Sequence, residues 1–117
     1  MAKLTTHVLN IADGIPAAGM RYALYRVEDG ARVALGDGRT GADGRCGKPL
    51  LEGTALRAGI YELVFDAGDY FQAQGADLPA PRFVDRVVLR FGIADPGQSY
   101  HVPLLVSPWS WSTYRGS

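Results

Sequence analysis

Two histidines are the only side chains in this 117-residue sequence with an ordinary titration range close to neutrality. His7 follows Thr5-Thr6 and precedes Val8-Leu9, and His101 follows Ser99-Tyr100 and precedes Val102-Pro103. Each sits where polar sequence passes into an apolar, strand-like run. Such a residue is either a half-buried strand histidine satisfied by a backbone carbonyl or a proton carrier in acid–base catalysis. Arg45 comes directly after Gly41-Ala42-Asp43-Gly44, a tight turn that presents its guanidinium at a strand start. It is either a surface hairpin arginine or a planar fork for a carboxylate or imide group. Cys46 has no base that spacing can place beside it, so it reads as a small apolar filler before a nucleophile.

The stretch from Tyr100 to Ser117 is the other place where chemistry could reside. An apolar run, His101 to Val106, leads into a turn at Ser107-Pro108-Trp109-Ser110-Trp111. Ser112-Thr113-Tyr114-Arg115-Gly116-Ser117 follows, with almost every side chain able to hydrogen bond. Fraying ends are small and polar. This segment carries both tryptophans, a tyrosine and an arginine, so it is expected to dock, with Trp109 and Trp111 as core or interface anchors. One cysteine and two histidines form no metal cluster of zinc spacing. No phosphate-cradling glycine loop, carboxylate dyad or nucleophile elbow is present, and no cofactor is expected.

The elements that must position these groups are strands. Short alternating runs separated by Gly, Pro and Asp predict an all-β sandwich. The expected strands are Leu4–Ile11, Met20–Val27, Ala31–Thr40, Arg45–Leu51, Gly59–Phe65 and Phe83–Phe91, followed by two closing strands. Asp66–Gly75 is the one expected helix, too short to stand without a sheet to pack on. No repeat or linker interrupts the chain, which reads as one domain over residues 1–117. Hydrophobic residues make up 47% and charged residues 21%, a globular balance. Twelve basic and twelve acidic residues cancel, which removes the positive excess a nucleic-acid binder needs. Ten of the twelve cations are arginine. No apolar run is long enough to span a bilayer. A single cysteine and the lack of a signal-like N-terminus give the expectation of a cytoplasmic protein. The residues by themselves lead as far as a small β-sandwich with a polar, aromatic C-terminus.

Four spaced stretches carry a resemblance beyond this. They are Leu4-Thr5-Thr6-His7-Val8-Leu9-Asn10 with Gly14-Ile15-Pro16-Ala17, Thr40 to Arg45, Tyr61 to Phe65 with Gly68-Asp69-Tyr70-Phe71, and Tyr100 to Ser117. In this order they resemble the transthyretin-like family, and the closing Tyr-Arg-Gly-Ser resembles its 5-hydroxyisourate hydrolase branch. The loop Ala76 to Phe83 departs from the aromatic-Pro-Glu pattern usual there. The resemblance implies two four-stranded sheets with one short helix, and a homotetramer with sites at the dimer–dimer interface. It implies hydrolysis of 5-hydroxyisourate to 2-oxo-4-hydroxy-4-carboxy-5-ureidoimidazoline in urate degradation, without cofactor. His7, Arg45, His101 and Ser117 would be catalytic, with His7, Arg45 and Tyr114 contacting substrate and Thr113, Arg115 and Gly116 in support. The chain would then have to end at Ser117. The alternative within the family is a carrier that binds a small ligand in the intersubunit channel without turnover.

Overall fold

The computed structural model describes residues 1–117. In chain order the elements are β1 (Lys3–Thr5), β2 (Val8–Asn10), β3 (Ile15–Pro16), β4 (Arg21–Glu28), β5 (Ala31–Arg39) and β6 (Leu51–Glu52). A 3-10 turn at Gly53–Ala55 precedes β7 (Gly59–Phe65), α1 (Ala67–Ala73), β8 (Val87–Ile93), β9 (Tyr100–His101), β10 (Leu104–Val106) and β11 (Trp111–Thr113).

One sheet is continuous, antiparallel throughout and ordered β5-β4-β7-β8. Its inward face follows from alternation: Tyr22 and Leu24 are buried on β4 where Arg21 is exposed. On β7 all five residues from Tyr61 to Phe65 are buried. The two-sided pattern expected there fails because Arg32 and Arg90 clasp Glu62 from the outer side, at 2.6 and 3.4 Å. A bulge between Leu24 and Tyr25 interrupts the β4–β5 register.

The facing layer comes in two pieces, β6-β1-β9 and β11-β10-β2-β3, instead of the expected single four-stranded sheet. Only Thr6-His7 separates β1 from β2, and only Val102-Pro103 separates β9 from β10. The expected strand Leu4–Ile11 therefore breaks in its middle. Pro103 has no N–H, so the ladder cannot run unbroken from His101 to Leu104. Thr6 turns its hydroxyl onto the Val102 carbonyl at 2.7 Å, satisfying in the gap what the ladder would otherwise satisfy. Both β1–β9 and β2–β10 are parallel pairs.

A core of 21 buried residues lies between the layers, with Leu4, Val8, Leu104 and Val106 facing Leu24, Leu63, Phe65 and Leu89. The helix buries Ala67, Gly68, Tyr70 and Phe71 against it. Two further expected strands are shorter than the pattern suggested. Arg45–Leu51 yields only an isolated bridge at Arg45 and the short β6, because Gly47 takes φ +77° and Pro49 cannot donate. Phe83–Phe91 becomes β8 at Val87 only, since the Asp85 carbonyl accepts from Gly68 at the helix start and Arg82 grips Asp69 and Asp85. Phe83, ahead of the strand, is 74% exposed. No helix is long and apolar enough to cross a membrane.

Candidate active site

The break in the second layer is where the singled-out residues meet. Along β1 and β2 the pleat sends Leu4, Thr6 and Val8 into the core and leaves Thr5, His7 and Leu9 on the opposite face. The parallel register sets Thr5 beside His101. Cross-strand partners share a face, so Thr5, His7 and His101 all point away from the core. Thr5 Oγ1 lies 2.8 Å from His101 Nδ1.

Arg45 arrives by a separate route. The Gly41–Gly44 turn closes with the Gly44 N–H donating to the Gly41 carbonyl at 2.9 Å, and the Gly41 N–H donates to the Arg45 carbonyl at 2.7 Å. The turn is stitched to the first strands by the Val8 N–H on the Gly44 carbonyl at 2.9 Å, which makes His7 and Arg45 bridge partners. Gly44 takes φ +79°, and a methyl there would run into the Val8 carbonyl, so both conformation and proximity demand glycine. Asp43 serves the site twice. Its Oδ1 accepts the Arg45 N–H at 3.0 Å, and its backbone carbonyl lies 2.8 Å from His7 Nε2. A carbonyl can only accept, so Nε2 carries the hydrogen and a neutral His7 keeps its lone pair on Nδ1.

The C-terminal stretch is docked on this face. The Thr113 hydroxyl donates to the Pro103 carbonyl at 2.7 Å, and the Gly116 N–H donates to the His101 carbonyl at 2.7 Å. Gly116 lies so close that an added Cβ would be 2.6 Å from His101 Cδ2. Arg115 stacks its guanidinium 4.2 Å from the Tyr100 ring centroid and donates to Gln98 Oε1 and the Ser99 carbonyl. Tyr114 and Ser117 flank these anchors with exposed side chains that hold no hydrogen bond within the chain. Neither tryptophan belongs to the core: Trp109 is 59% and Trp111 45% exposed, and Trp109 meets only the exposed Phe83 ring among aromatic partners, at 6.1 Å.

The electrostatics favour a neutral His101. Burial lowers its proton affinity first, the positive charge of Arg45 second, and His7 third, while the Thr5 backbone pulls the other way. Cys46 behaves differently. Burial pushes its thiol up, a hydrogen bond from Tyr22 opposes this, and Asp43 adds to it. Tyr22 itself is pushed up to about 12, by burial and then by the bond to Cys46. A thiol held protonated is a poor nucleophile.

The arrangement offers two imidazoles and a guanidinium on one polar face, the equipment for taking a proton from water and holding an anionic carbonyl group. Thr5 and Asp43 escaped the sequence reading. Thr5 had a usable signal, since it stands two residues from His7 and therefore on the same strand face. Asp43 was seen only as a turn residue, and its carbonyl bond to His7 has no side-chain signature.

Residues 4–116 match the model of a family described as HIUase/Transthyretin. A 5-hydroxyisourate hydrolase of Ralstonia nicotianae is 57% identical over 117 residues, the full length of both chains. Among solved structures, (S)-allantoin synthase superposes with a TM-score of 0.94 at 45% identity, over 99% of this chain and 44% of that one. Sea bream transthyretin in complex with thyroxine superposes with a TM-score of 0.87 at 25% identity, over 98% of this chain and 95% of its own.

Proposed function

The chain belongs to the HIUase/transthyretin family, and from that premise we propose that it hydrolyses 5-hydroxyisourate to 2-oxo-4-hydroxy-4-carboxy-5-ureidoimidazoline, a step of urate degradation. The observation that carries the reading is the convergence of His7, Arg45 and His101 on the outer face of the interrupted layer. A channel built only to hold an apolar ligand has no use for two imidazoles beside a guanidinium, and full-length relatives carry the hydrolase name.

In this reaction water adds to a ring carbonyl, the C–N bond breaks, and the leaving nitrogen takes a proton. His7 accepts the proton from water through Nδ1, since Nε2–H is committed to the Asp43 carbonyl. His101 relays a proton towards the leaving nitrogen, and its lowered proton affinity keeps it available as a neutral ring. Arg45 holds the anionic or imide edge, where a rigid fork of donors fits better than an ammonium point charge. Tyr114 and Ser117 contact the substrate from the other side, with Thr113, Arg115 and Gly116 fixing the segment that carries them. Trp109 and Trp111, exposed in the single chain, are buried between subunits of a homotetramer with its sites at the dimer–dimer interface. The free Cys46 suits a reducing, cytoplasmic setting.

Freshly prepared 5-hydroxyisourate, followed by its ultraviolet absorbance, is expected to decay well above its spontaneous rate when the protein is added. An unchanged rate ends the enzyme reading. Removing residues 114–117 is expected to abolish the acceleration while sedimentation still shows four chains together. Full activity after that truncation would reduce the segment to packing.

A further inference from the structure

The sequence contains only two lysines, and both line one cavity. Lys3 and Lys48 share with Arg45 the wall of a hollow of about 290 Å³. Thr5 is part of the same wall, and its hydroxyl is the one 2.8 Å from His101 Nδ1, so the hollow adjoins the catalytic face. Its charges are unspent. Six arginines elsewhere, Arg26, Arg32, Arg57, Arg82, Arg86 and Arg90, account for every salt bridge of the chain, whereas Lys3, Lys48 and Arg45 make none. Asp43 is the only carboxylate in the wall, and its Oδ1 already accepts the Arg45 backbone N–H. Three cations against one carboxylate make the hollow a positive recess, which concentrates anions near it.

The chemistry supplies an anion at this place. When water adds to a lactam carbonyl and the C–N bond breaks, the carbonyl carbon leaves as a carboxylic acid and the nitrogen keeps the transferred proton. Near neutral pH that acid ionises, so the opened product bears a carboxylate the ring did not have. We propose that the recess is a subsite for this newly formed carboxylate, with Lys3 and Lys48 as its recognition groups. The proposal rests on the hydrolase reading and names the class of ligand the recess takes, a small ureido carboxylate. Lysine suits the task because a flexible, strongly hydrated ammonium binds a carboxylate without locking it, whereas Arg45 makes the planar contact to the ring.

Hydantoin and hydantoate provide the test, as a closed neutral ring and its opened ureido carboxylate. In calorimetric titrations at low ionic strength, hydantoate is expected to bind more tightly than hydantoin. Lys3→Gln with Lys48→Gln is expected to weaken hydantoate about tenfold, at roughly threefold per lost cation, and about 1 M salt to erase the difference. The charge-keeping pair Lys3→Arg and Lys48→Arg should retain most of the affinity, which separates charge from damage to the fold. Equal hydantoate affinity in the native and glutamine proteins overturns the proposal, as does the absence of any preference for the opened form. Whether the native protein accelerates 5-hydroxyisourate decay is read separately. A hydrolase without the hydantoate effect loses the subsite alone, and a protein without turnover loses the hydrolase reading itself.

Discussion

The two layers of this sandwich treat polar groups in opposite ways. The continuous sheet β5-β4-β7-β8 is antiparallel from edge to edge and puts three of its arginines in pairs, Arg32 and Arg90 on Glu62 and Arg26 on Glu28. The interrupted layer joins its strands partly in parallel, breaks at Thr6-His7 opposite Val102-Pro103, and leaves Lys3, Arg45 and Lys48 without carboxylate partners. A paired charge is satisfied and inert towards a ligand, while an unpaired one on a concave face remains free to meet an anion. The same contrast holds for side-chain hydrogen bonds. Tyr61 of the regular sheet gives its hydroxyl hydrogen to the Arg57 carbonyl and accepts from Arg26 and the Arg57 N–H. His7 and His101 each have one ring nitrogen engaged within the chain and one without a partner there. Free polar groups, and with them the proposed site, thus gather on the interrupted layer.

Substitutions in the two layers should therefore fail differently. The largest divergence is expected between His7→Ala or His101→Ala and Phe65→Ala. Either histidine variant should lose about 10²–10⁴-fold in turnover with its unfolding midpoint nearly unchanged. Phe65 is fully buried in β7, and its truncation should cost about 3–5 kcal/mol in urea unfolding while the remaining folded protein keeps its activity. Comparable loss of stability in the histidine variants would erase that divergence.

A finer comparison uses glycine. Gly116→Ala puts a methyl against the His101 ring and should lower turnover at least about tenfold by displacing it, since small errors in the placement of a reacting group are costly. Gly36→Ala on β5 meets nothing within 4 Å and has no positive φ, so activity should hold and stability should change by no more than about 1 kcal/mol. Equal rates for the two variants would mean that Gly116 does not set the ring.

The smallest effect concerns protons. The His101 ring should titrate below the ordinary 6.5 when followed by NMR, and Arg45→Gln should move that midpoint part of the way back up. Recovery should be partial because burial is the leading cause and remains. As pH falls, the unfolded chain takes up this proton before the folded one does. The contribution of His101 to stability is accordingly present above about 6.5 and declines as pH drops towards the lowered value. A midpoint unmoved by Arg45→Gln would show that the guanidinium does not reach the ring electrostatically.

Much of this was legible in local pattern. Alternation put Tyr22 and Leu24 on one face of their strand, the Asp43-Gly44 turn delivered Arg45 to a strand start, and the aromatic, polar end announced a docked segment. What local pattern could not show was pairing. Thr5 and His101 are 96 positions apart, and nothing in either strand states that they run parallel in that register. The break in Leu4–Ile11 has its cause in Pro103, a residue of a different strand, and so is invisible from the first strand itself. The strand expected over Phe83–Phe91 was too long because its alternation is unbroken, and the Arg82 contacts to Asp69 and Asp85 that end the strand pattern are tertiary. The tryptophans were ambiguous for a related reason, since composition does not distinguish a ring that packs inside a chain from one that packs between chains.

Three of the connections that hold the site residues in place are made by main-chain atoms alone: Val8 N–H to the Gly44 carbonyl, Leu104 N–H to the His7 carbonyl, and Gly116 N–H to the His101 carbonyl. None depends on which side chain stands at position 7, 45 or 101. The frame is therefore a mounting whose fittings can be exchanged, and chains randomised at those three positions should fold to the same backbone. A new ligand or reaction could be reached on this scaffold by exchanging side chains alone, provided the glycines at 44 and 116 stay.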